Sequence, residues 1–337
     1  MTFPPSNPFT LIGEEIAGAW NTEALAHIAL AFGGEYLAYD GQVEEAEAVL
    51  DAFAYRVAAE NHPAAVDAYA YRPPMEGRRA LLVGNEAKGV RRRTRKRADA
   101  LVEIPVISKN NNCLNVAAAA AILLYYLSLQ EPLPFPGRTL AAIRKARPDL
   151  LLVGGPCPME LGSVIRSACA FGWERVFLHD RHAVWYEGDR IARSEGRGAA
   201  RRGRNPIRVI PHTALLPTDY RRVVVLTTRS GIRPFSALSL IGKETLLVLE
   251  DELETSVVWN HAEFVPSEIV YASLPPVPPA TYHYRQAASL ALAEVARQLG
   301  RPDSDGIYLR SRKQRYRREV AEETAEGLYY LEDLACF

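Results

Sequence analysis

The segment Ala80-Leu-Leu-Val-Gly-Asn-Glu-Ala-Lys-Gly-Val90 reads as a short apolar strand that runs directly into a loop holding Gly84, Glu86 and Gly89. Glycine carries no Cβ, so a loop of this kind lets a ligand come close to the backbone. Further on, Val102-Glu-Ile-Pro-Val-Ile107 ends an extended run at Pro105, and Asn110-Asn-Asn-Cys-Leu-Asn115 sets an Asn-rich loop before a long apolar helix. Asn115 is placed where Asn is a favoured N-cap. A glycine loop by itself is weak evidence. The dinucleotide fingerprint GxGxxG and its downstream ribose-binding acid are not in place, which disfavours a nicotinamide dehydrogenase. Cys113, Cys157, Cys169 and Cys336 fall at scattered spacings with no CxxC pair, so neither a metal site nor a disulfide framework is expected.

The elements around these segments repeat along the chain. Ala19 to Gly33 followed by Glu35-Tyr-Leu-Ala-Tyr39 parallels Pro158 to Gly172 followed by Arg175-Val-Phe-Leu178, each reading as helix, glycine cap and strand. The order continues in both halves with an extended run (Val66 to Tyr71; Val223 to Thr227), an apolar strand (Ala80 to Val83; Thr245 to Leu249) and a third run (Ala100 to Val106; Glu268 to Leu274). An Ala-rich helix closes each unit, Asn115 to Leu129 and Arg285 to Leu299. Strands alternating with helices imply α/β architecture with parallel sheets covered on both faces. The proline-rich stretch Glu131 to Gly137 marks the boundary. The expected organisation is an N-terminal domain over 1–130, a linker over 131–147, a second domain over 148–300 with a basic insertion at 180–206, and a charged tail over 301–337.

A chain of 337 residues suits two domains, and 48% hydrophobic with 24% charged residues is the balance of a soluble globular protein. Cytoplasmic location is the expectation, since the N-terminus lacks a basic start with an apolar core and no apolar run reaches membrane-spanning length. Forty basic and forty acidic residues cancel, which argues against nucleic-acid binding through bulk charge. The basic residues nonetheless cluster in Lys88 to Arg97, Arg190 to Arg208 and Arg310 to Arg318, as phosphate-tracking surfaces or solvated faces.

In their order the three chemistry-bearing segments resemble the motifs of the SpoU/TrmH-like SPOUT methyltransferases: an Asn-x-Gly-x-x-x-Arg helix, a Gly-x-Glu-x-x-Gly loop after a strand, and an Ile-Pro strand followed by Ser-Leu-Asn before a helix. The resemblance implies two tandem α/β knot domains, each with a deep trefoil knot, packed as an intramolecular pseudo-dimer. It implies S-adenosylmethionine as cofactor and transfer of its methyl group to RNA, commonly to a ribose 2′-hydroxyl of tRNA or rRNA. By the same resemblance the cofactor lies against Leu82, Val83, Gly84, Asn85, Glu86, Gly89, Ile104, Pro105, Val106, Cys113, Leu114 and Asn115. A catalytic set of Asn21, Glu86, Asn115 and Arg166 follows. Cys113 stands in the family's serine position and needs no nucleophilic role.

The sequence departs from the family pattern in one instructive respect. Asn21 keeps the motif-one Asn but His27 replaces its Arg, whereas Glu160 replaces the Asn of the second half and Arg166 is kept. The second half also has Glu250-Asp-Glu-Leu-Glu254 where the glycine loop belongs and Tyr284-Arg-Gln286 where Leu-Asn belongs, so it is expected to have lost its cofactor site. Family enzymes are dimers with the site at the interface, and a fused monomer would then hold one site in the first half and draw Arg166 across from the second. Arg166 either binds a phosphate and orients the ribose, or pairs with a carboxylate between the halves. Glu86 either orients the motif-three loop or caps the following helix, and His27 reads as structural. Two rival readings are an inactive RNA-binding protein of the same fold and a base methyltransferase of another SPOUT branch.

Overall fold

A computed structural model describes residues 8–39, 48–86, 88–106, 114–197, 206–227, 233–250, 266–274 and 283–302. The first half contributes strands β1 (Phe9–Glu14), β2 (Tyr36–Tyr39), β3 (Tyr55–Ala59), β4 (Val66–Asp67), β5 (Arg79–Val83) and β6 (Ala100–Glu103). They form a parallel sheet in the order β2-β1-β5-β3-β6-β4. Its helices include α1 (Ala19–Ala31), the short α2 (Arg92–Arg95) and α3 (Val116–Leu127). Between the halves lie a two-residue strand β7 (Gly137–Arg138) and helix α4 (Leu140–Ala146), so the segment expected as a bare linker contains structure.

The second half runs β8 (Asp149–Gly154), α5 (Pro158–Ala170), β9 (Arg175–Asp180), α6 (Arg190–Arg197), β10 (Arg208–Pro211), β11 (Arg222–Thr227), β12 (Arg233–Pro234), β13 (Thr245–Glu250), β14 (Glu268–Ser273) and α7 (Tyr284–Leu299). A last short strand, β15 (Arg301–Pro302), pairs with β7. The second sheet is also parallel, in the order β10-β9-β8-β13-β11-β14-β12. Apart from the added edge strand β10, it repeats the strand order of the first sheet position for position.

That correspondence corrects one alignment made from sequence. The partner of β11 is β3, and the Val66 to Tyr71 run supplies only the two-residue edge strand β4, the equivalent of β12. Asp67 explains the early end: its Oδ1 accepts from Tyr69 N at 2.8 Å and its carbonyl from the amides of Ala70 and Tyr71, so the chain turns there. The opening strands β1 and β8, absent from the repeat as read, sit next to the sheet centres and are buried along almost their whole length.

Two helices from each half close the space between the sheets: α3 packs on α7, α1 on α3, and α5 on α7. Helix α3, Val-Ala-Ala-Ala-Ala-Ala-Ile-Leu-Leu-Tyr-Tyr-Leu, has almost no exposed residue, as expected of a helix that is apolar all round. One continuous apolar cluster runs from Leu11, Ile28 and Val57 through Ile122 and Tyr125 to Phe171, Leu247 and Leu290. Polar ties cross it: Tyr126 Oη donates to Glu294 Oε2 at 2.7 Å, Tyr69 Oη to the Ala293 carbonyl at 3.2 Å, and Gln286 Nε2 to the Ala24 carbonyl at 2.9 Å. Gly33 (φ 75°) and Gly172 (φ 89°) end α1 and α5 in the left-handed conformation that a side chain disfavours.

Candidate functional site

The glycine loop after β5 is built to fold on itself. A Cβ on Gly84 would lie 2.1 Å from Gly89 C and Val90 N, and Gly89 adopts φ 74°. Gly89 N donates to the Asn85 carbonyl at 2.8 Å, Lys88 N to Asn85 Oδ1 at 3.1 Å, and Asn85 Nδ2 to the Glu15 carbonyl at 2.7 Å. Glu60 Oε2 accepts from Val90 N at 3.0 Å. Glycine is therefore required at Gly84 by the loop's own backbone contact.

Glu86 projects from this loop to the start of α1. Its Oε1 accepts from Asn21 Nδ2 at 2.7 Å and its Oε2 from Ala17 N at 3.1 Å. These bonds tie down the segment leading into α1; the helix that follows Glu86 begins at Arg92 with no side-chain cap, and the motif-three loop lies largely outside the described residues. Asn21, buried to 9% exposure, passes the connection on, its Oδ1 accepting from Asn115 Nδ2 at 3.1 Å. Asn115 N-caps α3, accepting from Ala117 N at 2.9 Å, and so fixes its own amide.

From Asn115 the chain of hydrogen bonds crosses into the second half. Asn115 Nδ2 also donates to Glu195 Oε1 at 3.1 Å, and the same oxygen accepts from Ser163 Oγ at 2.8 Å and Arg166 Nη1 at 3.2 Å. Arg166 Nη2 donates to the Leu114 carbonyl at 3.0 Å, so the guanidinium spans from a carboxylate to the backbone just ahead of α3. Of the two readings of Arg166, the carboxylate pairing is present, with a residue of its own half. Asn21, Glu86, Asn115 and Arg166 thus join in one hydrogen-bonded line from β5 to α5. Among the expected cofactor residues, Leu82, Val83 and Val106 are buried, while Ile104, Pro105 and Leu114 are half-buried. Cys113 lies outside the described residues.

Glu195 and Ser163 were missed from sequence. Glu195 sits in an Arg/Gly-rich stretch that reads as a basic insertion, and only the packing of α6 on α5 brings it inward. Gly162 makes that packing close: a Cβ there would lie 2.5 Å from the Ala192 carbonyl oxygen and 2.9 Å from Glu195 Cβ. The available signal was Gly162 itself, the motif-one glycine, which only the second half keeps.

The equivalent place in the second half is differently filled. His283 N-caps α7 with φ −63° and ψ 147°, matching Asn115 at φ −61° and ψ 141°, so it stands where Asn115 does; the sequence had set Tyr284-Arg-Gln286 at the Leu-Asn position. Glu160 accepts from Arg285 N at 2.7 Å and pairs with Arg285 Nη1 at 2.9 Å, the two side chains 5% and 1% exposed. Arg285 Nη2 donates to the Trp20 carbonyl at 2.9 Å, and His27 meets His283 edge to face at 5.0 Å between ring centres. Burial, with Arg285 and His27 nearby, holds the His283 imidazole below its ordinary pKa. A buried arginine and two packed imidazoles thus surround the α7 cap, where small amides surround the α3 cap in the first half.

Residues 35–125 match the family model described as SpoU rRNA Methylase. The match falls within the first half and covers 91 of the 337 residues. The SpoU segment runs from β2 to α3 and so holds Glu86 and Asn115 but neither Asn21 nor Arg166. A search of curated proteins finds no match. Among solved structures, the SpoU methyltransferase AviRb from Streptomyces viridochromogenes in complex with AdoMet is 19% identical, covers 37% of this chain and has TM-score 0.31. The A. aeolicus TrmH/SpoU tRNA modifying enzyme is 17% identical over 56% of this chain and 94% of its own, TM-score 0.33. An AdoMet-bound rRNA methyltransferase from Sinorhizobium meliloti is 11% identical over 86% of this chain and 98% of its own, TM-score 0.34. This chain spans 59% and 65% of the lengths of the two AviRb structures. At these TM-scores the likenesses carry no argument. No described helix is long and apolar enough to cross a membrane, and no cluster of metal-ligating side chains occurs among the described residues.

Proposed function

We propose that this chain is an S-adenosylmethionine-dependent RNA methyltransferase that methylates a ribose 2′-hydroxyl of tRNA or rRNA at one site, built mainly by the first half and completed by Arg166 of the second. The observation that carries the reading is the unbroken line Glu86–Asn21–Asn115–Glu195–Arg166, which brings the motif residues of a SpoU methylase-family domain to an arginine that the domain itself lacks.

The residues present fit the cofactor. The carboxyl ends of β5 and β6, where parallel α/β sheets receive ligands, open onto half-buried Ile104, Pro105 and Leu114, an apolar rim suited to an adenine. Backbone groups of 82–86, 104–106 and 113–115 would hold it. Bound there, it supplies an electrophilic methyl on sulfonium. The chain's own contribution is positioning: Asn115, locked by its capping bond and by Asn21, presents one face of the site, and Arg166 holds the Leu114 backbone opposite Glu195. The shared strand order of the two sheets supports descent from a duplicated unit, a fused pair acting as a monomeric pseudo-dimer with knotted domains over 1–130 and 148–300 joined through 131–147. In this reading the second half has exchanged its cofactor site for the Glu160–Arg285 pair, and the Arg190 to Arg208 stretch faces cytoplasmic RNA.

Labelled cofactor with total tRNA and rRNA, followed by nucleoside digestion, tests the assignment: label on a 2′-O-methylnucleoside supports it, and label on a base moves it to another SPOUT branch. Arg166→Ala should abolish transfer while leaving cofactor affinity within about fivefold, because the glycine loop is untouched. Full activity in that variant would dispose of the composite site.

A further inference from the structure

Methyl transfer to a hydroxyl needs a group that takes the hydroxyl proton, and the line of residues described above contains few that can. Asn21, Asn115 and Ser163 are neutral and have no basic site in the working pH range. Arg166 is a permanent cation. Both oxygens of Glu86 already accept hydrogen bonds, one from Asn21 Nδ2 and one from Ala17 N. Glu195 differs from all of these. Three donors, Asn115, Ser163 and Arg166, converge on its Oε1, while its Oε2 accepts no hydrogen bond among the described residues. The side chain is 17% exposed, compared with 10% for Arg166, so the carboxylate is anchored through one oxygen without being fully buried.

We infer that Glu195 is the proton acceptor of the reaction: anchored through Oε1, it receives the substrate hydroxyl proton on Oε2. This rests on the proposed function. The step balances within the chain and its two substrates. The proton passes from the ribose oxygen to Glu195 Oε2 as the oxygen–methyl bond forms, and the sulfur–methyl bond breaks with its electron pair retained on sulfur, which becomes a neutral thioether. Arg166 and Ser163 are then positioning residues, acting through Glu195. The motif-one split gains a physical sense as well. Gly162 is kept in the second half because α6 must come within van der Waals contact of α5 to deliver Glu195, and the first half carries Glu23 in that place.

The charged group in hydrogen-bond reach of Glu195 is Arg166, from α5. Asn115, at the cap of α3, and Ser163 are neutral, and on α6 Arg193 turns away onto the Trp185 ring at 4.2 Å. A proton acceptor must be ionised, so kcat of the wild-type chain should rise with pH to a plateau.

The test compares the full wild-type chain with Glu195→Gln by calorimetric titration with S-adenosylmethionine and by labelled transfer to total RNA across pH. The expected result is cofactor affinity within about threefold, kcat lower by about 10²–10⁴, and loss of the rising acid limb. Retained kcat, or a lowered rate that keeps the same acid limb, overturns the inference, since a merely structural Glu195 would leave the limb in place. Glu195→Asp, which keeps the charge with a shorter reach, should retain the limb at reduced kcat, and stands in if the Gln variant does not fold. A wild-type chain that binds no cofactor or transfers no methyl group overturns the proposed function and this inference together. Binding and transfer with an indifferent Glu195→Gln overturn this inference alone.

Discussion

Gly162→Ala is the sharpest perturbation of the composite site that leaves every polar residue in place. The added Cβ would lie 2.5 Å from the Ala192 carbonyl oxygen, 2.9 Å from Glu195 Cβ and 3.1 Å from Gly196 N. A carbon–oxygen contact normally settles at about 3.3–3.6 Å, so α6 must withdraw from α5 by about 1 Å. The bonds that Glu195 accepts from Ser163, Asn115 and Arg166 measure 2.8, 3.1 and 3.2 Å, and a displacement of that size carries all three beyond hydrogen-bonding range. Overpacking costs about 1–3 kcal/mol, and the better helix propensity of alanine returns up to about 1 kcal/mol. Stability should therefore fall by no more than about 3 kcal/mol, whereas a 1 Å misplacement at a reacting centre costs about 10²-fold in rate. Thermal unfolding, calorimetric cofactor affinity and kcat on bulk RNA separate these terms. The expected pattern is a small loss of stability, unchanged cofactor affinity and kcat down about a hundredfold. Wild-type kcat in a folded Gly162→Ala variant would refute the argument that close α5–α6 packing delivers the site's carboxylate.

Two further outcomes concern the second half. Arg285→Met strands the buried Glu160 carboxylate, and denaturant unfolding should show a loss of about 3–5 kcal/mol; the double change with Glu160→Leu should restore most of it, and a loss under about 1 kcal/mol from the single change would contradict a buried pair. Burial, Arg285 and His27 lower the His283 pKa in the folded chain, so the unfolded chain binds more protons below its ordinary value of 6.5. Stability should then decline as pH falls through 6.5 toward the lower folded value, and His283→Asn, which keeps a capping side chain, should flatten that decline; an unaltered pH slope would argue against it.

Much of this architecture is legible in the residues, and the remainder is hidden for physical reasons. Helices α1, α3, α5 and α7 follow from apolar content, glycine ends and, at Asn115, a capping residue. The Val66 run misled because it alternates like a strand, while Asp67 turns the backbone by a side-chain bond that periodicity cannot show. Of the site, Asn21, Glu86, Asn115 and Arg166 were named from motif form, and the structure joins them. The sequence did not show that Gly84 must also be small because its backbone touches that of Gly89, a contact within the folded loop. Glu195 could not be found by any local pattern, since its role depends on α6 folding back across α5, a contact between elements that lie apart in sequence.

The central claim is that one half of this chain admits a methyl donor while the corresponding place in the other is filled by Arg285, Glu160 and two imidazoles. Calorimetric titration of the full chain with S-adenosylmethionine measures this directly through its stoichiometry. The account predicts one molecule bound per chain; two per chain, or none at millimolar concentration, would contradict it.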